Sequence, residues 1–202
     1  MLDLHPDVFR EYDIRGLTAT QLTPAWVRVF GTALAAYFSR HGLDTVLIGR
    51  DNRTSSDTIL STLTDSLTQS GLHVVDIGTV ITPLFYFARL YLNIDAGVMI
   101  TASHNPPEYN GFKIARGPAT IHGPEIQELK NLFSKYINNT NQFPALGTHK
   151  PGRITHQDIT PAYLNMLTEK IKLGPRRLKV AVDCGNGSAS LFAEDFLNRL
   201  GC

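Results

Sequence analysis

Apolar residues recur along this chain in two rhythms. Between Pro24 and Arg40, Val27, Phe30, Leu34, Tyr37 and Phe38 return at the spacing of one helix face. Thr23 stands before this stretch as an N-cap, Pro24 suits the first helical turn, and Gly42 is placed to end the helix. Thr45 to Ile48 is a short β-type run ending in Gly49-Arg-Asp. A helix is expected over Ser56–Ser70, stopped by Gly71, then a strand over His73–Ile77. Pro83–Leu92 reads as a third helix, Ala96–Thr101 as a third strand and Gly123–Ile137 as a fourth helix. Strands alternating with helices of this length predict βα units and a mainly parallel sheet.

The rhythm breaks over residues 138–155, whose Asn, Thr, Gly and Pro content reads as a linker. It resumes with a helix over Thr160–Leu173, with Thr160 as N-cap and Pro161 at its start. A strand over Leu178–Asp183, a turn at Gly185-Asn-Gly and a helix over Ser188–Leu200 follow. One strand and one helix do not cover both faces of a sheet. The expected organisation is therefore a three-layer α/β/α first domain over residues 1–150, and a linker helix with the first βα unit of a similar, incomplete second domain over residues 151–202. The uncovered strand edge and helix face of that unit lead to an expectation of self-association.

Composition narrows the function classes. At 43% hydrophobic and 18% charged, the 202 residues suit a folded α/β chain and argue against disorder. Lys and Arg total 19 against 18 Asp and Glu, so the basic footprint of a nucleic-acid binder is missing and any preference for anions has to be local. Cys184 and Cys202 make no disulfide framework, which favours a reducing compartment. The N-terminal MLDLHPDVFREYDIRG has no apolar secretory core, and no apolar run approaches a membrane span. A cytoplasmic protein without nucleic-acid or membrane partners is expected.

The chemistry concentrates in residues 101–114, TASHNPPEYNGFKI. The preceding strand delivers this loop to the carboxyl end of the sheet, where open α/β folds bind ligands. Pro106 and Pro107 restrict the backbone, and Asn110-Gly111 permits a tight turn that would bring Lys113 back toward Ser103. Ser103 and His104 can be read as loop residues bonded to backbone. A serine hydrolase is a poor reading: no G-x-S-x-G elbow is present, and adjacent side chains tend to point apart, which places His104 badly as a direct base. The third reading makes Ser103 a phosphoryl acceptor, which needs cations nearby. Lys113, Arg10, Arg15, Arg50 and Arg53 all lie at or near expected strand ends and turns.

Four segments, in order, resemble motifs of the α-D-phosphohexomutases of the phosphomannomutase/phosphoglucomutase type. They are Phe9-Arg-Glu-Tyr-Asp-Ile-Arg-Gly16, Gly49-Arg-Asp-Asn-Arg-Thr-Ser55, the serine loop from Thr101 to Lys113, and Val182-Asp-Cys-Gly-Asn-Gly187. The resemblance covers essentially the whole chain and implies an N-terminal portion of such an enzyme. It implies that Ser103 carries a phosphoryl group, gives it to a hexose monophosphate, and takes another back from the bound hexose 1,6-bisphosphate. The product would be the isomeric hexose phosphate, of glucose or mannose. The resemblance further implies acid–base assistance from His104, cations Arg15 and Lys113 around the transferring group, and Tyr12 near the substrate. Asn105, Arg50, Asp51 and Arg53 would support the loop, and Asp183 would cap the turn after its strand. Magnesium is the implied cofactor, with one ligand from the phosphate on Ser103; the Asp-Gly-Asp-Gly-Asp loop that supplies the others in the family is not in this sequence. The chain alone is therefore expected to be inactive. Alternatives are a phosphoglucosamine mutase, disfavoured by the Arg10-Glu-Tyr-Asp-Ile-Arg15 form of the first motif, and a non-catalytic phosphosugar- or partner-binding domain.

Overall fold

The computed structural model describes residues 3–138 and 150–202. Seven strands form one sheet in the order β1-β5-β4-β2-β3-β7, with β6 paired to β5. They are β1 (Ile14–Leu17), β2 (Thr45–Arg50), β3 (His73–Thr79), β4 (Ala96–Ile100), β5 (Tyr109–Arg116), β6 (Ala119–Thr120) and β7 (Ile154–His156). β2 is parallel to β3 and β4, and β3 to β7, while β5 runs antiparallel to β1, β4 and β6. β5 is thus the one reversed strand in a mainly parallel sheet. Six α-helices accompany it among the described residues: α1 (Pro24–Arg40), α2 (Ser56–Gln69), α3 (Thr82–Tyr91), α4 (Pro124–Asn138), α5 (Thr160–Lys170) and α6 (Ala193–Arg199).

Alternation along each strand builds two cores. Val46, Ile48, Val74, Val98, Ile100, Phe112 and Ile114 point to the side of α1, α2 and α4, where Trp26, Phe30 and Phe133 meet them. Leu47, Ile77, Met99 and Ala115 point to the other side, against Leu84, Phe85 and Ala88 of α3 and Tyr163 and Leu164 of α5. The result is the expected three-layer α/β/α arrangement. Local signals agree where they are strong. Thr23 Oγ1 accepts from the Trp26 amide, and Gly42 takes φ +72° while its amide donates to the Ser39 carbonyl.

Four expectations are corrected. Asn110-Gly111 makes no turn; it lies inside β5, with Gly111 opposite Arg15 and Asn110 opposite Gly16. A Cβ on Gly111 would stand 2.1 Å from the Ile14 carbonyl oxygen, so glycine is there to let β1 close on β5. Residues 178–183 form no strand, because an extended segment is only a strand when a neighbour takes its hydrogen bonds, and Val180 and Val182 stay about half exposed. The helix over Ser188–Leu200 is divided into a 3₁₀ turn, Ser188–Leu191, and α6. The cap of α5 is Ile159, one residue before Thr160, whose amide donates to Asp158 Oδ1.

Residues 139–149 of the presumed linker lie outside the described residues. Its last two residues open β7, an edge strand beside β3, and α5 covers the second core. Phe192 and Phe196 pack on that same core. The C-terminal segment thus docks on the first unit.

Candidate functional site

β4 ends at Ile100 and hands the chain to the serine loop at the carboxyl ends of β2, β3 and β4. The loop is closed by Asn105 N–H to the Ala102 carbonyl and Tyr109 N–H to the Pro106 carbonyl, both 3.1 Å. These turns around the two prolines return the chain as β5. Ser103 takes φ +58°, a left-handed conformation uncommon for a residue with a side chain, and its amide donates to Thr101 Oγ1 at 2.9 Å. The left-handed residue rotates its neighbour around. Ser103 Oγ and His104 Nδ1 lie 3.3 Å apart, so the expectation that these adjacent side chains diverge is corrected.

Arg53 holds the loop from beneath. Its guanidinium donates to the carbonyls of Ser103 (3.1 Å), Asn105 (2.7 Å), Pro106 (2.7 Å) and Tyr109 (3.0 Å). Asp51 Oδ2 accepts from Arg53 Nε at 3.2 Å, while its Oδ1 accepts from the Arg53 amide and from Ser56 Oγ. Asn110, fully buried, donates to Ser55 Oγ and Ser56 Oγ and so ties β5 to the start of α2. Arg50 does not join this network; it pairs with Asp57 at 2.7 Å.

On the other flank, Arg15 donates to Asn105 Oδ1 at 2.7 Å and to the Ala102 carbonyl at 3.3 Å. Lys113 lies 5.4 Å from the centre of the Tyr12 ring, which is 57% exposed. Both cations converge on Asp13, at 2.7 Å for Arg15 and 3.0 Å for Lys113. Arg15 thereby contacts the loop through Asn105 and Ala102, while Lys113, which arrives along a strand and not around a turn, joins Arg15 on Asp13 and carries Tyr12 beside it.

A cleft of about 760 Å³ opens beside Ser103. Asp51 to Thr54, Val80 to Pro83, Thr101, Ser103 to Asn105, Pro107 and Gly185 to Ala189 line it. Asn52 Nδ2 donates to the Asn186 carbonyl, and Ser188 Oγ donates to Asn52 Oδ1 at 3.2 Å, so the 185–188 turn forms one wall. Asp183 Oδ1 accepts from the Gly185 amide at 2.9 Å within that turn. Asp13, Asn52 and Ser188 were not among the expected site residues, and Asn110 was expected only in a turn. The polar character of the motifs holding Asp13 and Asn52 was visible, but Lys113, the second partner of Asp13, and the partners of Asn52, Asn110 and Ser188 lie tens of residues away in the chain.

A backbone-pinned hydroxyl beside an imidazole, on a loop held by Arg15 and Arg53, suits group transfer with a developing anion. A divalent cation finds no ready cage in this chain: no three His, Cys, Asp or Glu side chains converge among the described residues.

A family profile described as phosphoglucomutase/phosphomannomutase, alpha/beta/alpha domain I, matches residues 6–140. A phosphoglucomutase of Neisseria meningitidis serogroup B is 38% identical over 201 residues, covering 100% of this chain and 42% of that protein. A phosphomannomutase/phosphoglucomutase of Pseudomonas aeruginosa is 37% identical, over 98% of this chain and 41% of its own length. The crystal structure of a phosphoglucomutase/phosphomannomutase family protein from Burkholderia thailandensis superposes with a TM-score of 0.85 at 35% identity, over 100% of this chain and 43% of that one. The chain therefore spans about two fifths of the length of the proteins it matches.

Proposed function

Because the chain belongs to the phosphoglucomutase/phosphomannomutase family, we propose that it is the N-terminal portion of a cytoplasmic phosphohexomutase that works through phospho-Ser103. The observation that carries this reading is the pinned serine itself. Ser103 sits in a left-handed conformation with its carbonyl on Arg53, its hydroxyl beside His104, Arg15 on Asn105 of its loop, and Lys113 sharing Asp13 with that Arg15.

In the proposed reaction a hydroxyl of the hexose monophosphate attacks the phosphorus on Ser103. The P–Oγ bond breaks; the hydroxyl proton passes to His104, which hands it to the departing Ser103 Oγ. The bound 1,6-bisphosphate then turns around. Ser103 Oγ attacks its other phosphorus, its proton passes to His104 and from there to the departing sugar oxygen, and the isomeric monophosphate leaves. Arg15 and Lys113 offset the charge spread over the transferring group, which is where most catalysis of phosphoryl transfer lies. Tyr12, exposed beside Lys113, offers a face to the sugar. Magnesium would neutralise phosphate charge, held in part by the phosphate on Ser103.

We take residues 1–150 as the phosphoserine domain and 151–202 as the connecting helix and opening of a second domain. This chain alone is proposed to lack turnover, since it has no Asp-Gly-Asp-Gly-Asp loop and spans about two fifths of the length of the proteins it matches. The reading is tested with the full-length polypeptide that carries this chain. Isomerisation of glucose 1-phosphate, mannose 1-phosphate and glucosamine 1-phosphate would be followed for the wild type and Ser103→Ala. The proposal expects turnover of glucose or mannose phosphate that Ser103→Ala abolishes. Turnover of glucosamine phosphate alone would reassign the substrate, and turnover that survives Ser103→Ala would overturn the reading.

A further inference from the structure

Asp13 is 2% exposed and is not among the residues that sequence reasoning assigned to the site. Three nitrogens crowd one of its two oxygens, Oδ2: Arg15 Nε at 2.8 Å, a second Arg15 guanidinium nitrogen at 2.7 Å, and Lys113 Nζ at 3.0 Å. Its other oxygen, Oδ1, is buried with no hydrogen-bond partner. A carboxylate that served only to stabilise the fold would gain by sharing these donors between both oxygens, since an unpaired buried acceptor is costly.

The sheet explains the convergence. Ile14 pairs with Phe112 and Arg15 with Gly111 in the antiparallel register of β1 and β5. One step earlier, Asp13 falls across from Lys113. Side chains two apart on a strand share a face, so Asp13, Arg15 and Lys113 all project to one side. The same Arg15 also donates to Asn105 Oδ1 and the Ala102 carbonyl, which flank Ser103 and His104.

We infer that Asp13 is a positioning residue that holds the Arg15 guanidinium and the Lys113 ammonium at fixed places before a phosphoryl group arrives. The inference rests on the phospho-Ser103 reading and adds to it a residue that touches neither phosphate nor sugar. Ordering two long cationic side chains in advance removes that entropy from the transfer step.

The charge arithmetic gives the test a sign. Replacing Asp13 by Asn makes the site more positive. If Asp13 were merely a counter-ion, an anionic phosphoryl donor would then react at least as fast. Positioning demands the opposite.

The experiment follows phosphate uptake on Ser103 of the full-length polypeptide that carries this chain from glucose 1,6-bisphosphate, by mass spectrometry of the Ser103 peptide over time. Asp13→Asn is expected to slow uptake by roughly tenfold to a hundredfold. In a Lys113→Ala background the same substitution is expected to cost clearly less, because the two residues act through one contact. The Arg15 Nε–H resonance is expected to be sharp and slowly exchanging in the wild type and to broaden in Asp13→Asn. Uptake as fast as wild type, full additivity with Lys113→Ala, or an unchanged Arg15 resonance would overturn the inference. If Asp13→Asn does not fold, Asp13→Glu carries the test: its longer arm moves the carboxylate and is expected to slow uptake in a folded chain, while uptake at the wild-type rate overturns the inference. A wild type that takes up no phosphate defeats the phospho-Ser103 reading and this inference with it; normal uptake by Asp13→Asn defeats the inference alone.

Discussion

Arg53 and Ser103 stand 50 positions apart, and the guanidinium of the first donates to the carbonyl of the second at 3.1 Å. The same guanidinium takes three more carbonyls between Asn105 and Tyr109. One planar cation therefore fixes the whole turn that presents the serine, and Asp51 fixes the cation. Lysine cannot reproduce this, since a single ammonium lacks the forked donors.

Arg53→Ala and Arg53→Lys are accordingly both expected to destabilise the fold, Arg53→Ala by about 2–4 kcal/mol. Chemical denaturation of each variant measures it. An Arg53→Lys variant within about 0.5 kcal/mol of the wild type would contradict the bracing account.

Gly111 and Gly42 give a paired prediction about the backbone. Alanine at Gly111 would drive its Cβ into the Ile14 carbonyl at 2.1 Å, so β1 and β5 have to part and Arg15 moves with β1. Alanine at Gly42 meets open space and is penalised only by its φ of +72°. Gly42→Ala is expected to cost about 1 kcal/mol, and Gly111→Ala about 3 kcal/mol or more. Thermal unfolding compares the two; equal losses would contradict the close approach.

The acid limb of stability has a named contributor. Burial pushes the Glu125 carboxyl upward, but the hydrogen bond and charge of Arg116 outweigh it, and Tyr37 adds a hydrogen bond, so the group sits below the usual carboxylate value of 4.5. A depressed folded value contributes stability above the unfolded value, lost as pH falls below 4.5 toward the folded one. Glu125→Gln is expected to be less stable than wild type near neutrality and to lose less between there and acid pH. Parallel stability curves for the two proteins across that window would contradict this assignment.

The wall of the cleft formed by the 185–188 turn depends on Asn52. Asn52→Ala is expected to speed amide exchange at Gly187 and Ser190 while leaving β2 and β4 unchanged. Hydrogen exchange with mass or NMR detection reads this directly, and unchanged exchange in the turn would show that it holds its place without Asn52.

Much of the architecture was legible because local signals and burial agreed. Val27, Phe30 and Leu34 mark a helix face that is buried, and Thr23 and Gly42 bound it by caps that act within the same few residues. β1 and β5 were missed for a physical reason. Asn110 and Gly111 carry turn chemistry locally, but Ser55, Ser56 and the Ile14 carbonyl, far away in sequence, give them a strand environment. Leu178–Asp183 failed the other way: its apolar alternation fits a strand, yet among the described residues no strand pairs with it. Within the site, Ser103, His104, Arg15 and Lys113 were readable as residue types in motifs. Asp13 was not, because its meaning lies in a strand register that brings it opposite Lys113. Arg50 shows the limit of motif reasoning, since its neighbour Arg53 braces the loop while Arg50 itself pairs with Asp57.

The decisive measurement is phosphate on Ser103. The full-length polypeptide that carries this chain would be incubated with glucose 1,6-bisphosphate, digested, and its peptides weighed, with Ser103→Ala in parallel. The account predicts one phosphate on the wild-type peptide that contains Ser103 and none on the variant. No phosphate at saturating bisphosphate, or equal phosphate on both proteins, would contradict it.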